Sequence, residues 1–305
     1  MKRWTSDDVP PQNGRTAIVT GANTGIGFET ARELVNKGAN VILACRNLEK
    51  GREAVARIEA KRYGGTAELR LLDLSDLASV HDFAQRILAD KKRLDLLINN
   101  AGVMVPPFGR TKQGFELQFG TNHLGHFALG AHLLPLLQAT PDSRLVVVYS
   151  MVYRFGRIDF EDPNYEHRPY RANEAYSQSK LCNLLYAFEL QRRIGTSGSP
   201  PVVTAAHPGW TATDLQRTSR FTRMLNPLFG MTPPEGALPT LRAATDPAAP
   251  AGSYWGPARF WQLRGPPIQV DVNRRARDQD AAVSLWDLSE KLTNVHYTLP
   301  VPLTP

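Results

Sequence analysis

Cysteine is scarce in this chain of 305 residues, which contains only Cys45 and Cys182. Both lie in apolar segments, and neither belongs to a C-x-x-C pair. Disulfide frameworks and structural zinc sites need more cysteines than this, at characteristic spacings. The two cysteines are therefore predicted to be reduced core residues of a protein in a reducing compartment, which we expect to be the cytoplasm.

Long apolar runs are also missing. No stretch approaches the roughly 18 consecutive apolar residues that a transmembrane helix needs. The charged N-terminal residues are not followed by the apolar segment that a secretory signal peptide requires. We therefore expect no membrane span and a soluble protein.

Acidic residues are fewer than basic ones, 29 Asp and Glu against 36 Lys and Arg, which gives a net charge of +7. The basic residues are scattered, and their densest groups are residues 91–93 and 274–277. Nucleic-acid-binding proteins usually concentrate basic residues on one face or along one helix. We therefore expect no nucleic-acid partner, and we interpret the positive field as an attraction for a phosphorylated cofactor.

The chain also has no internal repeat. Apolar residues make up 42% of it and charged residues 21%, proportions that are typical of a globular protein. A single α/β domain over residues 1–305 is ordinary for a chain of this length.

The most informative segment is a short apolar strand that runs into three glycines. Residues 17–19 are apolar, glycines occur at positions 21, 25 and 27, and a helical apolar period continues to Gly38. A helix that begins at a glycine turn directs unpaired N–H groups at its ligand, and a Cβ would hold a phosphate away from them. An ordinary glycine-rich turn is the alternative. The predicted pyrophosphate site comprises Gly21, Asn23, Thr24, Gly25, Ile26 and Gly27.

Apolar strands alternate with helices over the first two thirds of the chain. Such strands predict a parallel sheet that is covered on both faces, an α/β doubly wound (Rossmann) fold. The further predicted strands are residues 40–45, 69–72, 94–98, 144–149 and 202–206, and the predicted helices are residues 47–62, 76–91, 112–139 and 174–194.

The last third of the chain is richer in proline. After a core at residues 14–213, we interpret residues 214–240 as a substrate lid and residues 241–305 as a C-terminal extension of the same domain. Residues 256–261 are predicted to be a turn into an edge strand or a packed loop, and residues 280–292 a helix. The lid side chains that could line an apolar pocket, with plain packing as the alternative, are Met224, Leu225, Leu228 and Phe229.

The end of the second strand indicates which dinucleotide binds. In dinucleotide folds this position meets the adenosine ribose, with an acidic side chain for NAD and a basic one for the 2′-phosphate of NADP. Here the strand ends in Arg46, which lies 19 residues after Gly27, and no carboxylate is present. A guanidinium binds phosphate bidentately. We therefore predict NADP(H), with a solvated arginine as the alternative.

Tyr176 and Lys180 form the candidate catalytic pair. They are four residues apart and share one face of a predicted helix, although the same spacing arises by chance on many surface helices. A phenol can protonate a carbonyl oxygen during hydride transfer, and a nearby ammonium would lower the pKa of that phenol. Ser150 follows the fifth strand, at the sheet edge where such folds bind ligands.

Together these segments resemble the short-chain dehydrogenase/reductase family. The resemblance covers at least residues 14–213 and rests on Thr-Gly-x-x-x-Gly-x-Gly, Asn-Asn-Ala-Gly, Tyr-x-x-x-Lys and Pro-Gly-x-x-x-Thr. It implies hydride transfer between NADP(H) and a carbonyl or alcohol, with Asn122, Ser150, Tyr176 and Lys180 as the catalytic set. The further cofactor contacts that it implies, besides Tyr176 and Lys180, are Asp73, Leu74, Asn100, Ala101, Gly102, Pro208, Gly209, Thr211 and Thr213.

The long gap between Ser150 and Tyr176 points to one branch of that family. It holds 25 residues, and with the Ala-Cys-Arg segment after the second strand it is similar to the retinol dehydrogenase and WW-domain oxidoreductase-like branch. That branch implies a small lipophilic carbonyl or alcohol as substrate. Because no N-terminal membrane anchor and no WW domain precede the loop, retinol itself is not the expected substrate.

Other interpretations of the chain follow from other residues. His123 and His126 have a metal-like spacing but no evident third ligand, so no metal is expected, and His207 is predicted to be structural. A catalytically weak dinucleotide-binding sensor or scaffold, and a membrane-surface protein, are the alternative functions. The family's association through residues 112–139 and 174–194 predicts a homodimer or homotetramer.

Overall fold

The computed structural model describes residues 3–195, 200–211 and 230–299. Within these ranges eight strands form one sheet. In chain order they are β1 (Thr16–Thr20), β2 (Asn40–Cys45), β3 (Thr66–Leu71), β4 (Leu96–Asn99), β5 (Arg144–Val148), β6 (Val202–Ala206), β7 (Tyr254–Arg259) and β8 (Arg264–Gln269).

Helices connect most of these strands. None of the helices in the described ranges has both the length and the apolar character that are needed to cross a bilayer. The helices are α1 (Gly25–Asn36), α2 (Leu48–Glu59), α3 (Leu77–Asp90), α4 (Leu117–Phe119), α5 (Gly125–Gln138), α6 (Ala172–Ile194), α7 (Pro233–Thr245) and α8 (Gln279–Thr293), with a π-helical turn at Gly120–Leu124 and a 3₁₀ helix at Met151–Phe155.

The sheet winds in two directions from its centre. Its strand order is β3-β2-β1-β4-β5-β6-β7-β8; β1 to β7 run parallel, and β8 is antiparallel to β7. Ile18 of β1 lies opposite Ile42 of β2 on one side and Leu97 of β4 on the other. The winding therefore changes direction between β1 and β4, where a crevice opens at the carboxyl ends of the strands.

The strands are buried on both faces. Ile18 belongs to a core cluster that includes residues of α3, α5, α6 and α8, whereas Ala17 and Val19 belong to a second cluster with residues of α1, α2 and α7. All five residues of β1 are buried. Because neighbouring residues of a strand point to opposite faces, this burial requires helices on both sides. The predicted doubly wound fold is confirmed.

Helices α2 and α3 begin near their predicted first residues, whereas the helix predicted over residues 112–139 begins later. The side chains of Asn47 and Asp76 accept backbone N–H groups at the starts of α2 and α3. The helix predicted over residues 112–139 begins only at Leu117. A turn at Gly114, where φ is +88°, precedes it, and the Glu116 carboxylate accepts the first free N–H groups. The prediction therefore included this turn in the helix, and the predicted helix begins too early.

The region predicted as a substrate lid contains a helix. Residues 233–240, which fall within the predicted lid, form the first part of α7, and Thr232 and Glu235 form a capping box at its start. Ala237 and Leu241 are buried against the sheet, so this part of the chain is core. Residues 214–229 of the predicted lid lie outside the described residues, as do Thr213 and the four predicted pocket side chains of the lid.

Residues 256–261 are strand for most of their length. Residues 256–259 belong to β7, and the turn into β8 lies at Phe260, Trp261 and Gln262, whose φ angles are +52°, +54° and +69°. The predicted edge strand after the turn is β8. Strand β7, which precedes the turn and includes residues 256–259, was not predicted. Positive φ is uncommon for aromatic residues, so the sequence gives little sign of this turn.

Helix α8 covers α6. Trp286 of α8 is 2% exposed, and its ring lies 5.2 Å from Phe127 and 4.6 Å from Tyr297. On α6, Leu184 and Leu185 are buried in the same cluster. These leucines of α6 therefore pack within one chain. The homodimer or homotetramer stays a prediction.

Replacing Trp286 by alanine should lower the free energy of unfolding by about 3–5 kcal/mol, because the removed indole leaves a cavity between α6 and α8. Urea unfolding followed by circular dichroism measures the change. The matched control is Trp261→Ala, since Trp261 is 83% exposed and should change stability by less than about 0.5 kcal/mol. Equal effects of the two substitutions would contradict this packing.

Candidate active site

A cavity of about 1150 Å³ lies along the carboxyl ends of the central strands. It runs from the turn after β1 to the segment after β6. Eighteen of the predicted site residues that the structure describes line it: Gly21, Asn23, Thr24, Gly25, Ile26, Gly27, Arg46, Asp73, Leu74, Asn100, Ala101, Gly102, Ser150, Tyr176, Lys180, Pro208, Gly209 and Thr211. Asn122 lies behind the cavity wall.

The glycine turn has no room for side chains. A Cβ on Gly27 would lie 2.6 Å from the carbonyl oxygen of Gly21, and closer still to the Asn100 amide nitrogen. Gly21 has a φ of +66°, and its Cβ would lie 3.0 Å from Ala101 Cα. Helix α1 starts at Gly25, so its free N–H groups face the cavity. This cradle of backbone fits the pyrophosphate of a dinucleotide.

The loop after β4 is anchored to the end of β1. The backbone N–H groups of Asn100 and Ala101 both donate to Thr20 Oγ1 at 2.9 Å, and the Asn100 side chain donates to the Thr20 carbonyl oxygen at 2.8 Å. Thr20 is fully buried. The two loops that border the crevice are therefore held together by one threonine, which the sequence analysis did not identify.

Asn122 binds the other end of the loop after β4. It lies in the π-helical turn and is fully buried. Its Oδ1 accepts from the N–H of Val103 at 2.8 Å, and its Nδ2 donates to the Val103 carbonyl oxygen at 3.0 Å and to Ser179 Oγ at 3.0 Å. Asn122 thus connects the loop to α6, and π-turns of this kind often mark functional sites.

Ser150, Tyr176 and Lys180 meet at one place in the cavity wall. The Ser150 side chain is near enough to the Tyr176 phenol to lower its pKa, and Lys180 Nζ lies 5.7 Å from the centre of the Tyr176 ring. Lys180 is 4% exposed, and its ammonium group donates to the Val148 carbonyl oxygen at 3.4 Å. The three side chains predicted from strand end and helix spacing are therefore brought together.

Burial controls the ionisation of this group. It raises the pKa of Tyr176 to about 12, an effect that Ser150 partly offsets. It lowers the pKa of Lys180 to about 8. The sequence analysis expected the lysine to lower the phenol pKa, but in the structure burial has the larger effect. Tyr176 lines the cavity and is partly exposed.

The far end of the cavity is basic. Arg46, Asn47 and Lys50 line it and are exposed. Asp73 is the acidic residue of the lining, and its Oδ1 already accepts from the backbone and the hydroxyl of Ser75. Asn47 and Lys50 were missed as site residues. They could have been predicted from the sequence, because α2 starts directly after Arg46 and its first turn therefore lies beside that residue.

The end near Tyr176 is mostly apolar. Arg154 is the basic residue among these lining side chains. The sequence analysis missed this group, because it comes from four separate segments. The apolar lining residues are Met104, Val105, Met151, Val152, Trp210 and Leu263.

The histidines of the predicted metal-like pair have different partners. His123 Nε2 lies 2.8 Å from Ser289 Oγ, whereas His126 Nε2 lies 2.9 Å from Thr20 Oγ1. His207 is fully buried, and its Nδ1 accepts from the N–H of Gly209 at 3.1 Å. That contact fits the predicted structural role of His207.

Comparison with known proteins identifies relatives over most of the chain. The model of the short chain dehydrogenase family matches residues 15–223. The chain is 38% identical to retinol dehydrogenase 14 of Mus musculus over 302 residues, which cover 93% of this chain and 87% of the relative. It is 40% identical to retinol dehydrogenase 11 of Homo sapiens over 282 residues, covering 90% and 85%.

Solved structures extend the comparison. A crystal structure of a protein from Mycobacterium paratuberculosis is similar with a TM-score of 0.83 and 43% identity, and the match covers 98% of this chain and all of the other. A short chain dehydrogenase of Shigella flexneri complexed with NADP has a TM-score of 0.65 and 28% identity, over 79% of this chain and 96% of that one.

Replacing Gly27 by alanine should weaken NADPH binding by about 5- to 150-fold, because overpacking of this kind costs about 1–3 kcal/mol. The new Cβ would push the turn after β1 away from Asn100. Energy transfer from tryptophan to bound NADPH measures the affinity. In Gly64→Ala, a control without a clash, the nearest atom lies 4.0 Å from the new Cβ, so affinity should not change. Unchanged affinity in Gly27→Ala would contradict the cradle.

Proposed function

The chain belongs to the short-chain dehydrogenase family, in its retinol-dehydrogenase-like branch, and from this premise we propose that it interconverts a lipophilic carbonyl compound and its alcohol with NADP(H). The members of this family are oxidoreductases that act on carbonyl and alcohol groups. The observation that carries the proposal is that Ser150, Tyr176 and Lys180 line the same cavity as the glycine turn.

The glycine turn and the loop after β4 would hold the dinucleotide. Lys180 is proposed to hold the nicotinamide ribose, since its Nζ is the buried cation nearest to Tyr176. The bound nicotinamide supplies or accepts the hydride. The other residues proposed to contact the cofactor are Asp73, Leu74, Asn100, Ala101, Gly102, Pro208, Gly209, Thr211 and Thr213.

The basic end of the cavity supports NADP(H) rather than NAD(H). Arg46 and Lys50 both line this end, and no acidic residue in the described ranges forms an ion pair with either. A 2′-phosphate would find two cations there, and the guanidinium can bind it bidentately. An acidic partner for the ribose 2′-hydroxyl, as NAD requires, would have to be Asp73, which is already bonded to Ser75.

Tyr176 is proposed as the acid and base. With its pKa raised to about 12, the phenol keeps its proton at neutral pH and can donate it to the oxygen of a carbonyl substrate. Ser150, which lies near the same phenol, would bind that oxygen. In the opposite direction Tyr176 must first lose its proton, so alcohol oxidation is expected to need a higher pH than carbonyl reduction.

The apolar end of the cavity supports a lipophilic substrate. Met104, Met151 and Trp210 offer apolar surface next to Tyr176, and apolar pockets with a few polar groups are usual for small-molecule sites. The names of the curated relatives, which are retinol dehydrogenases, point to the same chemical class. Two free, buried cysteines are consistent with action in the cytoplasm.

Replacing Tyr176 by phenylalanine should reduce kcat by about 10²- to 10⁴-fold, the usual contribution of general acid catalysis. NADPH oxidation with decanal, all-trans-retinal and aromatic ketones provides the assay. NADPH affinity and folding should survive, because only one hydroxyl is removed. An unchanged kcat with NADPH still bound would remove Tyr176 from the mechanism and favour a dinucleotide sensor or scaffold instead.

Replacing Arg46 by aspartate should weaken NADPH binding by about 10- to 150-fold, because a charge-assisted contact contributes about 1.5–3 kcal/mol. NADH affinity should change little. Lys50→Met tests the second cation in the same way. Arg52→Met is the control, since Arg52 is exposed on α2 and lies outside the cavity lining. Equal affinities of the wild type for NADPH and NADH would contradict the assignment.

A further inference from the structure

His126 is a buried histidine between the two loops of the crevice and the helix that carries Asn122. It is 2% exposed. Its Nδ1 lies 3.0 Å from the backbone carbonyl oxygen of Asn122, and its Nε2 lies 2.9 Å from Thr20 Oγ1. Both ring nitrogens are therefore engaged by residues that border the site, although His126 does not itself line the cavity.

The direction of each hydrogen bond follows from the partners. A carbonyl oxygen only accepts, so Nδ1 carries a proton and donates to Asn122. Burial lowers the pKa of His126 to about 4, and the ring is therefore neutral with a lone pair on Nε2. The Thr20 hydroxyl then donates to Nε2. This arrangement fixes one tautomer of the imidazole.

Thr20 uses its whole hydrogen-bonding capacity in this arrangement. Its hydroxyl proton points at His126 in the shorter of two contacts, the other being the Ile98 carbonyl oxygen at 3.3 Å. Its oxygen accepts the N–H groups of Asn100 and Ala101, both at 2.9 Å. The orientation of the loop after β4 is thus linked through one hydroxyl to the imidazole.

Asn122 completes the connection from the other side. Its side chain binds both backbone groups of Val103, three residues after Asn100. Its backbone carbonyl is held by His126. The loop over residues 100–103 is therefore held at both ends, by Thr20 at one end and by Asn122 at the other. His126 contacts both of these residues.

We propose that His126 is a positioning residue, whose neutral imidazole sets the distance between the cofactor loop after β4 and the turn that carries Asn122. No metal and no proton transfer is involved. The imidazole is a rigid ring with a donor on one side and an acceptor on the other, so it keeps its two partners at a fixed separation. The proposal rests on the proposed function, since it assigns Asn100 and Ala101 to the cofactor site.

The test compares two histidines of the same helix. His126→Phe keeps a flat ring and removes both hydrogen bonds. His123→Phe is the matched control, because His123 is 1% exposed but binds Ser289 of α8 and stacks on Phe119. Both substitutions remove a buried histidine, and only the first should change the loop. NADPH affinity of the folded protein, measured by energy transfer, is the main readout, because loss of stability alone leaves it unchanged.

We expect His126→Phe to weaken NADPH binding by about 2- to 150-fold, the range of coupling seen within one hydrogen-bond network, and His123→Phe to leave it unchanged. Thr20→Val should produce a similar loss. The double variant should bind no more weakly than the worse single variant, because the two residues act through one chain of contacts. His126→Gln, which keeps a donor and an acceptor, should restore part of the affinity.

Three results would overturn the proposal: equal NADPH affinities of the two phenylalanine variants, losses that multiply in the double variant, and no recovery with glutamine. Tyr176→Phe separates this outcome from failure of the proposed function. If decanal turnover survives in Tyr176→Phe, the catalytic assignment is wrong, whereas the coupling of Thr20 and His126 in NADPH affinity is still measured directly.

Discussion

The site depends on the close approach of two backbone segments at the centre of the sheet. The turn after β1 and the loop after β4 are so near that a Cβ on Gly21 would lie 3.0 Å from Ala101 Cα. Because the winding changes direction between these strands, their following segments diverge and leave a crevice. Glycines at positions 21, 25 and 27 leave this part of the crevice without side chains from the turn after β1, so peptide N–H groups at the start of α1 face the ligand there. The hydroxyls of Ser150 and Tyr176, which we propose to be catalytic, lie in the same cavity and come from the end of β5 and from α6.

Features with a local cause could be predicted from the sequence. The glycine turn, the caps at Asn47 and Asp76 and the apolar strands each follow from a few adjacent residues, and the structure places them within a few positions of their predicted limits. The cavity-lining positions of Ser150, Tyr176 and Lys180 could be predicted for the same reason. A strand end and a four-residue helical spacing are sufficient to bring them together once the sheet is parallel.

Features that depend on distant contacts could not be predicted in this way. Lys50 and Arg154 become site residues only because separate loops gather at one sheet edge. Helix α7 was missed because this proline-rich stretch was interpreted as a substrate lid, although proline is favoured at the first helical position. His126 shows the same limit, since its metal-like spacing to His123 gave no indication of its partners, which lie on β1 and in the π-helical turn before α5.

The buried lysine shows why the catalytic helix needs support from the rest of the chain. Burial lowers the pKa of Lys180 from 10.5 to about 8, so the ammonium form destabilises the folded state by about 3 kcal/mol at neutral pH. Because the unfolded chain binds this proton more tightly than the folded chain does, the destabilisation shrinks as pH rises from about 8 towards 10.5. Packing of α6 between the sheet and α8 offsets a cost of this size, since a buried Trp286 alone contributes a comparable amount. Helix α8 therefore stabilises the arrangement that we propose to be catalytic, although Lys180 and Tyr176 lie on α6.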